Sequence, residues 1–481
     1  MVKRRTKIVA TLGPATDAPG MLEKIITAGV NVVRINFSHG ADLALARIAA
    51  VREAAKKLNT TVGIMADLQG PKIRIARFQK AKVILEKGAQ FILDASLPST
   101  AGNDVSVGID YKELPNDVRV GDTLLLDDGR IVLIVKKVED SRVICVVEVG
   151  GELSNNKGIN RLGGGLTADA LTEKDKADLL VAVAGGVDYV AISFPRDARD
   201  MQIARDLLTA AGSEAGLIAK IERAEAVGLI DEIILASDGV MVARGDLAVE
   251  IGEAEVPGAQ KHIIRRARAL DRPVITATQM MESMIENAIP TRAEVSDVAN
   301  AVLDHTDAVM LSAETAVGAH PDRVIAAMSR ICMAAEKTRS TQAFEYDLEL
   351  ECVRVDEAIA MAAVHTANHL NIKAIVALTE SGSTPLMMSR LCTGIPIYGL
   401  SHHTLTLGKM TLYRDVYPLY FETAAAITEN TSKEYEEYIV RLRQDGLIGE
   451  GDLILVTKGD HAGIHGGTNM LKILRVNKEG D

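Results

Sequence analysis

Short apolar strand patterns alternate with helical patterns through most of the 481-residue chain, and this alternation constrains the fold more than any other feature. Segments with helical spacing of apolar residues, such as Leu43–Leu58 and Lys174–Ala184, separate runs rich in Val and Ile. Buried strands that alternate with helices are typical of a parallel sheet covered by helices. Eight such units predict a closed (β/α)8 TIM barrel, with a doubly wound open sheet as the competing architecture. The eight predicted strands are Lys7–Gly13, Val30–Ser38, Val62–Leu68, Asp188–Pro195, Leu217–Glu222, Val240–Leu247, Pro273–Met280 and Ala308–Thr315.

The interval between the third and fourth strands is far too long for a single helix. It contains four β-branched runs, separated by turn dipeptides: Lys82–Leu93, Thr123–Leu126, Ile131–Val138 and Val143–Val149. Closely spaced short strands of this kind predict a small β-barrel domain, inserted at residues 71–168. Because the insertion follows a barrel strand, we expect it to lie over the carboxyl-terminal mouth of the barrel, where it can act as a lid.

A third region begins near residue 344. Its predicted elements are a helix at Asp356–Leu370, strands at Ala374–Leu378, Ile397–Gly399, Leu453–Thr457 and Ile473–Val476, and a helix at Lys433–Gln444. This pattern predicts a C-terminal α/β domain at residues 344–481. The catalytic barrel is then formed by residues 1–70 and 169–343.

The charge balance and the cysteines exclude several classes of protein. The net charge is 54 − 65 = −11, and no basic run exceeds Lys3-Arg4-Arg5, so nucleic acid is not expected as a partner. The four cysteines are far apart and lack metal-binding spacing, which is typical of a reduced, cytoplasmic protein. No apolar run approaches the ~18 residues of a membrane span, and the early first strand leaves no room for a signal peptide. The histidines show no ligand spacing, and the pair His402-His403 is interpreted as an exposed loop.

Polar residues cluster at the carboxyl ends of six predicted barrel strands. Because these ends form one mouth, where barrel enzymes carry their reactive groups, the residues are expected to converge. They are Arg34, Asn36 and Ser38 in the second strand, Asp67 and the following Arg74 in the third, Lys220 and Glu222 in the fifth, Asp246 in the sixth, Thr276, Thr278 and Gln279 in the seventh, and Ser312 and Glu314 in the eighth.

These residue types suit a phosphorylated substrate and a divalent cation. Glu222 and Asp246 end neighbouring strands, and two carboxylates together with substrate oxygens fit octahedral Mg²⁺. A structural ion pair with Lys220 or Arg244 is the alternative interpretation of these carboxylates. Cationic side chains in the set would bind phosphate. The sequence has no G-x-x-x-x-G-K-[ST] motif, so a phosphoryl-transfer enzyme here would not use a P-loop.

Seven segments resemble the pyruvate kinase family, and the resemblance covers the whole chain. The stretch T-A-T-Q-M-M-E-S-M-I at Thr276–Ile285 is highly specific to that family. The resemblance implies transfer of the phosphoryl group of phosphoenolpyruvate to ADP, giving pyruvate and ATP, with Mg²⁺ or Mn²⁺ and in a homotetramer. The other segments are Val33–Gly40, Asp67–Arg74, Leu217–Val227, Met241–Glu250, Pro290–Val302 and Val309–Gly318.

The resemblance also implies a role for each matching residue. Lys220 would neutralise the phosphoryl group in flight, Arg34 would bind the substrate phosphate, and Glu222 and Asp246 would hold the divalent ion. The substrate carboxylate would be bound by the backbone of Gly245 and Asp246 and by the Thr278 hydroxyl. The nucleotide-binding residues would be Asn36, Phe37, Ser38, His39, Arg74 and Lys157. For protonation of the enolate, Thr278 and a water chain near Ser312 are both open.

Family members commonly bind K⁺ at positions that match Asn36, Ser38, Asp67 and Leu68. Lys72 stands where those enzymes typically have a glutamate. An ammonium group there can supply the fixed positive charge of K⁺, so we expect this chain not to need K⁺. The competing interpretation is a surface lysine at the hinge of the inserted domain.

A loop in the C-terminal domain has the composition of an anion site. It contains Thr379, Ser381, Gly382, Ser383 and Thr384, before a helix predicted to start near Pro385. Simple helix capping is the alternative. The family binds phosphorylated effectors at this loop. Glu380 places a negative charge where members that bind a sugar bisphosphate have a positive one, so a sugar monophosphate or AMP is expected rather than fructose 1,6-bisphosphate.

Two other functions are possible for a barrel with these residues. One is a barrel lyase or aldolase acting on a phosphorylated keto acid, in which Lys220 would form a Schiff base. The other is a catalytically silent effector-binding protein on the same scaffold. Such a protein would lack the set Lys220, Glu222, Asp246 and Thr278, and all four are present.

Overall fold

The computed structural model describes residues 4–338, 352–422, 431–460 and 466–477. The chain begins with three parallel strands and two helices of a barrel. These are β1 (Lys7–Thr11), α1 (Met21–Ala28), β2 (Val32–Asn36), α2 (Ala41–Lys57) and β3 (Gly63–Asp67). Side chains alternate along each strand: Ile8 and Ala10 pack towards the helices, while Val9 packs inside the barrel.

The insertion after β3 is a separate β domain with its own core. Its elements are β4 (Lys82–Leu85), β5 (Gln90–Asp94), β6 (Ser106–Gly108), α3 (Leu114–Asp117), β7 (Thr123–Leu126), β8 (Ile131–Glu139), β9 (Arg142–Val149), β10 (Gly151–Ser154) and β11 (Ile159–Arg161). Six strands form a sheet in the order β11-β7-β8-β9-β5-β6. Residues 74 and 75 bridge to Gly158 beside β11 and to Ile109 beside β6, which joins the two edges into a barrel-like closure.

One predicted strand in this domain was wrong. The run Lys82–Leu93 is two strands, because a turn with Gly88 at φ +85° separates them. After the turn the partners change, so that β4 pairs with β10 and β5 pairs with β9. The short strands β6, β10 and β11 were not predicted, since three or four residues carry little periodicity.

The chain then returns to the barrel and completes it. The elements are α4 (Glu173–Ala184), β12 (Tyr189–Ile192), α5 (Ala198–Ala210), β13 (Gly216–Ile221), α6 (Ala224–Gly228), α7 (Ile230–Ala236), β14 (Gly239–Ala243), α8 (Arg244–Ile251), α9 (Val256–Ala269), β15 (Val274–Ala277), α10 (Arg292–Leu303), β16 (Ala308–Leu311), α11 (Ala313–Ala316) and α12 (Pro321–Ala335). Eight strands close in the order β1-β16-β15-β14-β13-β12-β3-β2. The predicted (β/α)8 barrel is confirmed, and the open sheet is excluded.

In the residues that the structure describes, the C-terminal region is an α/β domain with a five-stranded sheet. It contains α13 (Val355–His369), β17 (Ile372–Leu378), α14 (Ser383–Arg390), β18 (Ile397–Ser401), α15 (Thr404–Met410), β19 (Val416–Tyr420), α16 (Thr431–Gln444), β20 (Leu453–Gly459) and β21 (Thr468–Arg475). The strand order is β19-β18-β17-β20-β21. Strand β19 was not predicted because it contains Pro418, which removes a hydrogen-bond donor. The sheet tolerates this proline because β19 lies at the edge.

The C-terminal domain closes the amino-terminal end of the barrel. Side chains from the barrel interior and side chains from this domain form one buried cluster, which includes Val9, Val32, Met65, Tyr189, Ile218 and Met241 from the barrel and Met388, Leu407, Met410, Leu412 and Val416 from the domain. Each fully buried apolar side chain contributes about 1.5–3 kcal/mol to stability. The Tyr189 hydroxyl also donates to the Lys409 carbonyl at 2.8 Å. The two domains therefore share a core.

A buried ion pair reinforces this contact. Arg390 of α14 donates from Nη1 to Asp307 Oδ2 at 2.9 Å and from Nη2 to Asp307 Oδ1. Asp307 immediately precedes β16 and has no exposed surface. Burial opposes ionisation of Asp307, but the charge and hydrogen bonds of Arg390 outweigh it and hold the pKa of this carboxyl below its usual value.

No helix in the described ranges combines the length and the apolar character that a membrane span requires.

Candidate active site

Lys220, next to last in β13, lies at the centre of the polar residues in the barrel mouth. Its Nζ lies 2.7 Å from Ser193 Oγ, 3.0 Å from Glu222 Oε1 and 3.2 Å from Asp67 Oδ1. Burial favours the neutral amine, but the two carboxylates outweigh it and raise the pKa of Lys220. A Schiff-base lysine needs the opposite shift, because only the neutral amine attacks a carbonyl. The environment thus favours a fixed cation over a nucleophile.

Asp67 joins Lys220 to a second cation. The end of β3 lies beside β2, with Asn36 in register with Asp67. Arg34 Nε donates to Asp67 Oδ2 at 2.5 Å, and Arg34 Nη1 donates to Thr11 Oγ1 at 3.1 Å. Burial opposes the charge on Asp67, but these cations outweigh it and lower its pKa. One buried carboxylate therefore fixes two cations side by side, as binding of a phosphate requires.

Glu222 and Asp246 lie on neighbouring elements after β13 and β14. The Phe194 backbone donates to Glu222 Oε2 at 2.9 Å. Burial raises the pKa of Glu222 to about 7; the negative charges of Asp246 and Asp67 add to the shift, and Lys220 opposes it. A divalent cation between these carboxylates would relieve that repulsion, and carboxylate oxygens are the ligands that Mg²⁺ prefers. The residues therefore fit a divalent metal ion.

Thr278 follows β15 in a strained conformation. Its φ is +65° and that of Gln279 is +52°, in the left-handed region that β-branched residues rarely adopt. The Gly245 backbone donates to Thr278 Oγ1 at 2.8 Å, which brings two of the predicted carboxylate-binding groups together.

Arg244 holds this strained turn. Its Nη2 donates to the Thr278 carbonyl at 2.7 Å, and its Nη1 donates to Asp297 Oδ1 at 2.8 Å. The alternative interpretation, a structural ion pair of the predicted metal carboxylates with Lys220 or Arg244, is met in part: Lys220 pairs with Glu222 at 3.0 Å, whereas the Arg244 guanidinium faces the turn after β15.

The predicted nucleotide residues of the barrel form a tight turn after β2. Asn36 Oδ1 accepts hydrogen bonds from the Ser38 backbone at 3.0 Å and from Ser38 Oγ at 2.7 Å, and starts a short 3-10 helix. The Phe37 side chain has no exposed surface, so only its backbone is available to a ligand. The His39 side chain lies outside the described part of the structure.

Arg74 and Lys157 lie close together within the inserted domain. Arg74 is bridged to Gly158, next to Lys157, and Lys157 Nζ lies 2.7 Å from Asp127 Oδ1. A cleft between this domain and the barrel is lined by residues that include Lys72, Asp128, Phe194, Arg223, Asp246 and Glu250. Asp246 is the predicted metal ligand that lines this cleft, whereas the predicted nucleotide-binding residues are not among its described lining residues.

Lys72 is an exposed residue of this cleft. Among the residues that the structure describes, it forms no ion pair with Asp67, whose carboxylate is bound by Arg34 and Lys220. Leu68, the backbone position of the family's K⁺ site, has its carbonyl bound by Ser193 Oγ at 2.7 Å.

Two site residues were missed in the sequence. Thr11 ends β1, and Ser193 follows β12; each contacts one of the predicted cations. They lie at the ends of the first and fourth barrel strands, from which no site residue was predicted. The expectation that polar residues at the carboxyl ends of strands form the site could therefore have found both.

Thr276 was wrongly placed at the mouth. Side chains alternate along β15, and because Ile275 and Ala277 face the barrel interior, Thr276 faces away from it; its hydroxyl contacts Thr306 Oγ1 at 3.0 Å.

The predicted effector loop connects β17 to α14. Thr379 Oγ1 accepts a hydrogen bond from the Gly382 backbone at 2.8 Å, and Ser381 Oγ lies 3.1 Å from Ser383 Oγ. Gly382 has φ +85°, a conformation that favours glycine. Thr384 is turned inwards, with its hydroxyl 2.8 Å from Thr468 Oγ1. Four of the five predicted residues thus form a compact turn at the start of α14, and the fifth is buried.

Comparison with known proteins agrees with this geometry. Residues 3–325 match the model of the pyruvate kinase barrel domain, and residues 357–474 match that of the pyruvate kinase alpha/beta domain. The chain is 55% identical to pyruvate kinase II of Salmonella typhimurium, over 98% of this chain and 99% of the relative. It is 53% identical to a pyruvate kinase of Haemophilus influenzae over the same shares of the two chains.

A solved structure shows the same architecture. The crystal structure of a pyruvate kinase from Cryptosporidium parvum superimposes with a TM-score of 0.91 at 32% identity, over 98% of this chain and 96% of that one. The resemblance found in the seven sequence segments is confirmed: the chain belongs to the pyruvate kinase family.

Proposed function

We propose that this protein uses the barrel mouth to transfer the phosphoryl group of phosphoenolpyruvate to ADP, giving pyruvate and ATP in the last step of glycolysis. The observation that carries the proposal is Lys220, held as a buried cation between Asp67 and Glu222 and next to Arg34. A coupled assay for pyruvate, run with and without divalent metal, tests the reaction directly.

A loose phosphoryl transition state needs positioning and charge stabilisation, and different residues of the chain provide each of these. Arg34 binds the substrate phosphate, and Lys220 neutralises the equatorial oxygens as the group moves to ADP. The Gly245 and Asp246 backbone amides and the Thr278 hydroxyl hold the substrate carboxylate. The enolate that remains is protonated at carbon to give pyruvate.

The inserted domain completes the nucleotide site. Asn36, Phe37, Ser38 and His39 contribute from the barrel, and Arg74 and Lys157 contribute from the other side of the cleft. Closure of the cleft excludes water, which strengthens every electrostatic contact inside it.

Glu222 and Asp246 hold the divalent cation, Mg²⁺ or Mn²⁺, in this proposal. When bound, such an ion supplies Lewis-acid charge to the phosphate and carboxylate oxygens of the substrate.

We expect Glu222→Gln to raise the Mg²⁺ concentration that gives half-maximal activity by about tenfold or more, since even outer-shell partners of metal ligands are worth about 10–100-fold in affinity. A Mg²⁺ titration of the initial rate measures this shift. The control is Glu214→Gln. Glu214 is exposed and lies just before the first residue of β13, whereas Glu222 follows its last residue. An unshifted titration for Glu222→Gln would show that this carboxylate is structural.

We propose that Lys72 replaces the K⁺ ion of the family, whose site would be Asn36, Ser38, Asp67 and Leu68. Its position in the cleft with Asp246 supports this, because an exposed ammonium there is available to a substrate phosphate. The other reading, a surface lysine at the hinge, predicts a K⁺ requirement.

The expected result is near-full activity without K⁺ and Na⁺, in buffer whose ionic strength is set by a tetraalkylammonium salt. Lys72→Glu should then create a K⁺ requirement, because the acidic group needs a cation to offset its charge. Lys80→Glu, an exposed residue of the inserted domain, is the control and should stay independent of K⁺. If the wild-type protein is nearly inert until K⁺ is added, the replacement is refuted.

We propose further that the loop at Thr379–Thr384 binds a phosphorylated effector, a sugar monophosphate or AMP. The hydroxyls and the left-handed Gly382 at the start of α14 support an anion site there. Capping of α14 alone is the alternative.

Activation by a monophosphate is expected, and Ser381→Asp should abolish it, because the added carboxylate repels the phosphate. Rates measured against effector concentration provide the test. Thr100→Asp adds the same charge to an exposed loop of the inserted domain and should leave activation unchanged. Stronger activation by fructose 1,6-bisphosphate than by any monophosphate would contradict the choice of effector.

We also propose the domain boundaries, the oligomeric state and the cellular location of the protein. The domain division is 1–70 with 169–343, 71–168 and 344–481; it is supported by the strand pairing, because the barrel, the two sheets of the insertion and the C-terminal sheet share no strand. The assembly is a homotetramer, as the family implies. The location is the cytoplasm, where the substrates of glycolysis occur.

The rival functions are not favoured. The raised pKa of Lys220 opposes a Schiff-base lyase or aldolase, and borohydride trapping with substrate would detect one. A silent effector-binding protein has no need of the fixed cations around Asp67.

A further inference from the structure

Two histidines and a glutamate come together on the C-terminal domain, away from the barrel mouth. Glu380 Oε2 lies 2.7 Å from His403 Nε2, and the rings of His402 and His403 are 3.9 Å apart between centroids. One ligand atom from each of the three residues lies within 4.8 Å of the others. Both histidines are exposed, so a solute ion has direct access.

The backbone around this group is fixed on both sides. The Glu380 carbonyl accepts a hydrogen bond from Thr406 Oγ1 at 2.6 Å, which ties the loop after β17 to α15. The His403 backbone donates to Ser401 Oγ at 3.2 Å, at the end of β18. Strands β17 and β18 are paired in parallel, so the two loops leave the same edge of the sheet. The three side chains are therefore presented by a preformed framework.

The donor set selects the class of ion. Two imidazole nitrogens and one carboxylate oxygen are typical of Zn²⁺ and related transition metals, with solvent in the remaining positions. Tetrahedral Zn²⁺ with bonds of about 2.0–2.1 Å needs ligand atoms about 3.3 Å apart, and the three ligand atoms here lie within 4.8 Å of one another. Mg²⁺ prefers oxygen ligands and is a poor match for two imidazoles.

We propose that Glu380, His402 and His403 form a binding site for a divalent transition-metal ion such as Zn²⁺. The site is chemically distinct from the oxygen-ligand site at Glu222 and Asp246, because its donors are mainly nitrogen.

Titration with Co²⁺ tests the proposal on the full chain, in the presence of excess Mg²⁺ to occupy oxygen-ligand sites. We expect one Co²⁺ per chain with visible absorption bands, displaced by one equivalent of Zn²⁺. The double variant His402→Ala/His403→Ala should lose the bands, and Glu380→Gln should weaken binding by about tenfold or more. Unchanged circular dichroism of each variant shows that it has folded.

The control is a second exposed pair, His365 and His369, whose rings lie 4.3 Å apart on α13. The double variant His365→Ala/His369→Ala should keep the Co²⁺ bands and the stoichiometry. Absence of bands in the wild-type protein, persistence of the bands without His402 and His403, or their loss in the control variant would each overturn the proposal.

Discussion

Replacing Lys220 with methionine is expected to lower kcat for pyruvate formation by about 10³-fold or more, because a preorganised charge on the moving group is lost. The KM for phosphoenolpyruvate should change much less, since Arg34 and the backbone amides of Gly245 and Asp246 still bind the substrate in the proposed mechanism. Steady-state rates over a range of substrate concentrations separate the two effects.

Lys24→Met is the control. Lys24 is exposed on α1, so its replacement removes the same charge from the protein surface. Lys220 also pairs with the buried carboxylates of Asp67 and Glu222, so circular dichroism and thermal unfolding should be recorded for Lys220→Met. A folded variant that keeps about a tenth or more of the wild-type activity contradicts the assigned role.

The second large effect is expected on stability. Arg390→Met leaves the Asp307 carboxylate without its paired guanidinium at the boundary between the barrel and the C-terminal domain. Breaking a buried ion pair by removing one partner costs about 3–5 kcal/mol, because the remaining charge stays buried. The midpoint of urea unfolding measures the loss.

Two further variants test whether the loss of stability comes from the buried, unpaired charge. Arg390→Met/Asp307→Asn removes both charges and should recover part of the loss, since no unpaired charge is then buried. Arg266→Met breaks an exposed ion pair with Asp231 on the barrel surface and should shift the midpoint of urea unfolding much less, because solvent screens the exposed pair. Equal shifts for Arg390→Met and Arg266→Met would show that burial of the first pair adds nothing.

The barrel could be predicted because each of its strands is buried on both faces. Such strands read as continuous apolar runs, and all eight predicted runs overlap observed strands. The inserted domain was harder to predict, because Gly88 turns the chain between β4 and β5 within a run that was predicted as one strand. Strand β19 was missed for a related reason: Pro418 argues against a strand unless the strand is known to be at an edge.

In the candidate active site, the positions of polar residues at strand ends predicted which residues lie close together. They did not predict which of these residues form ion pairs with each other. The sequence placed Lys220, Glu222 and Asp67 at one mouth, and the structure joins them through Lys220. That Asp67 is shared by two cations depends on the register of β2 with β3, which periodicity does not specify. The sequence showed His402 and His403 as a pair but not their contact with Glu380, which lies on a different loop and is brought near them by the pairing of β17 with β18.

The shared core at the closed end of the barrel couples the region of the proposed effector loop to the stability of the barrel. Helices α14 and α15 border the proposed effector loop at one end, and their apolar side chains Met388, Leu407 and Met410 complete the floor of the barrel. A substitution on those apolar faces alters the stability of the catalytic domain whatever it does to regulation. A change in the loop at residues 379–384 can therefore alter the proposed effector site without disturbing the floor of the barrel, whereas a change on the apolar faces of α14 and α15 disturbs that floor.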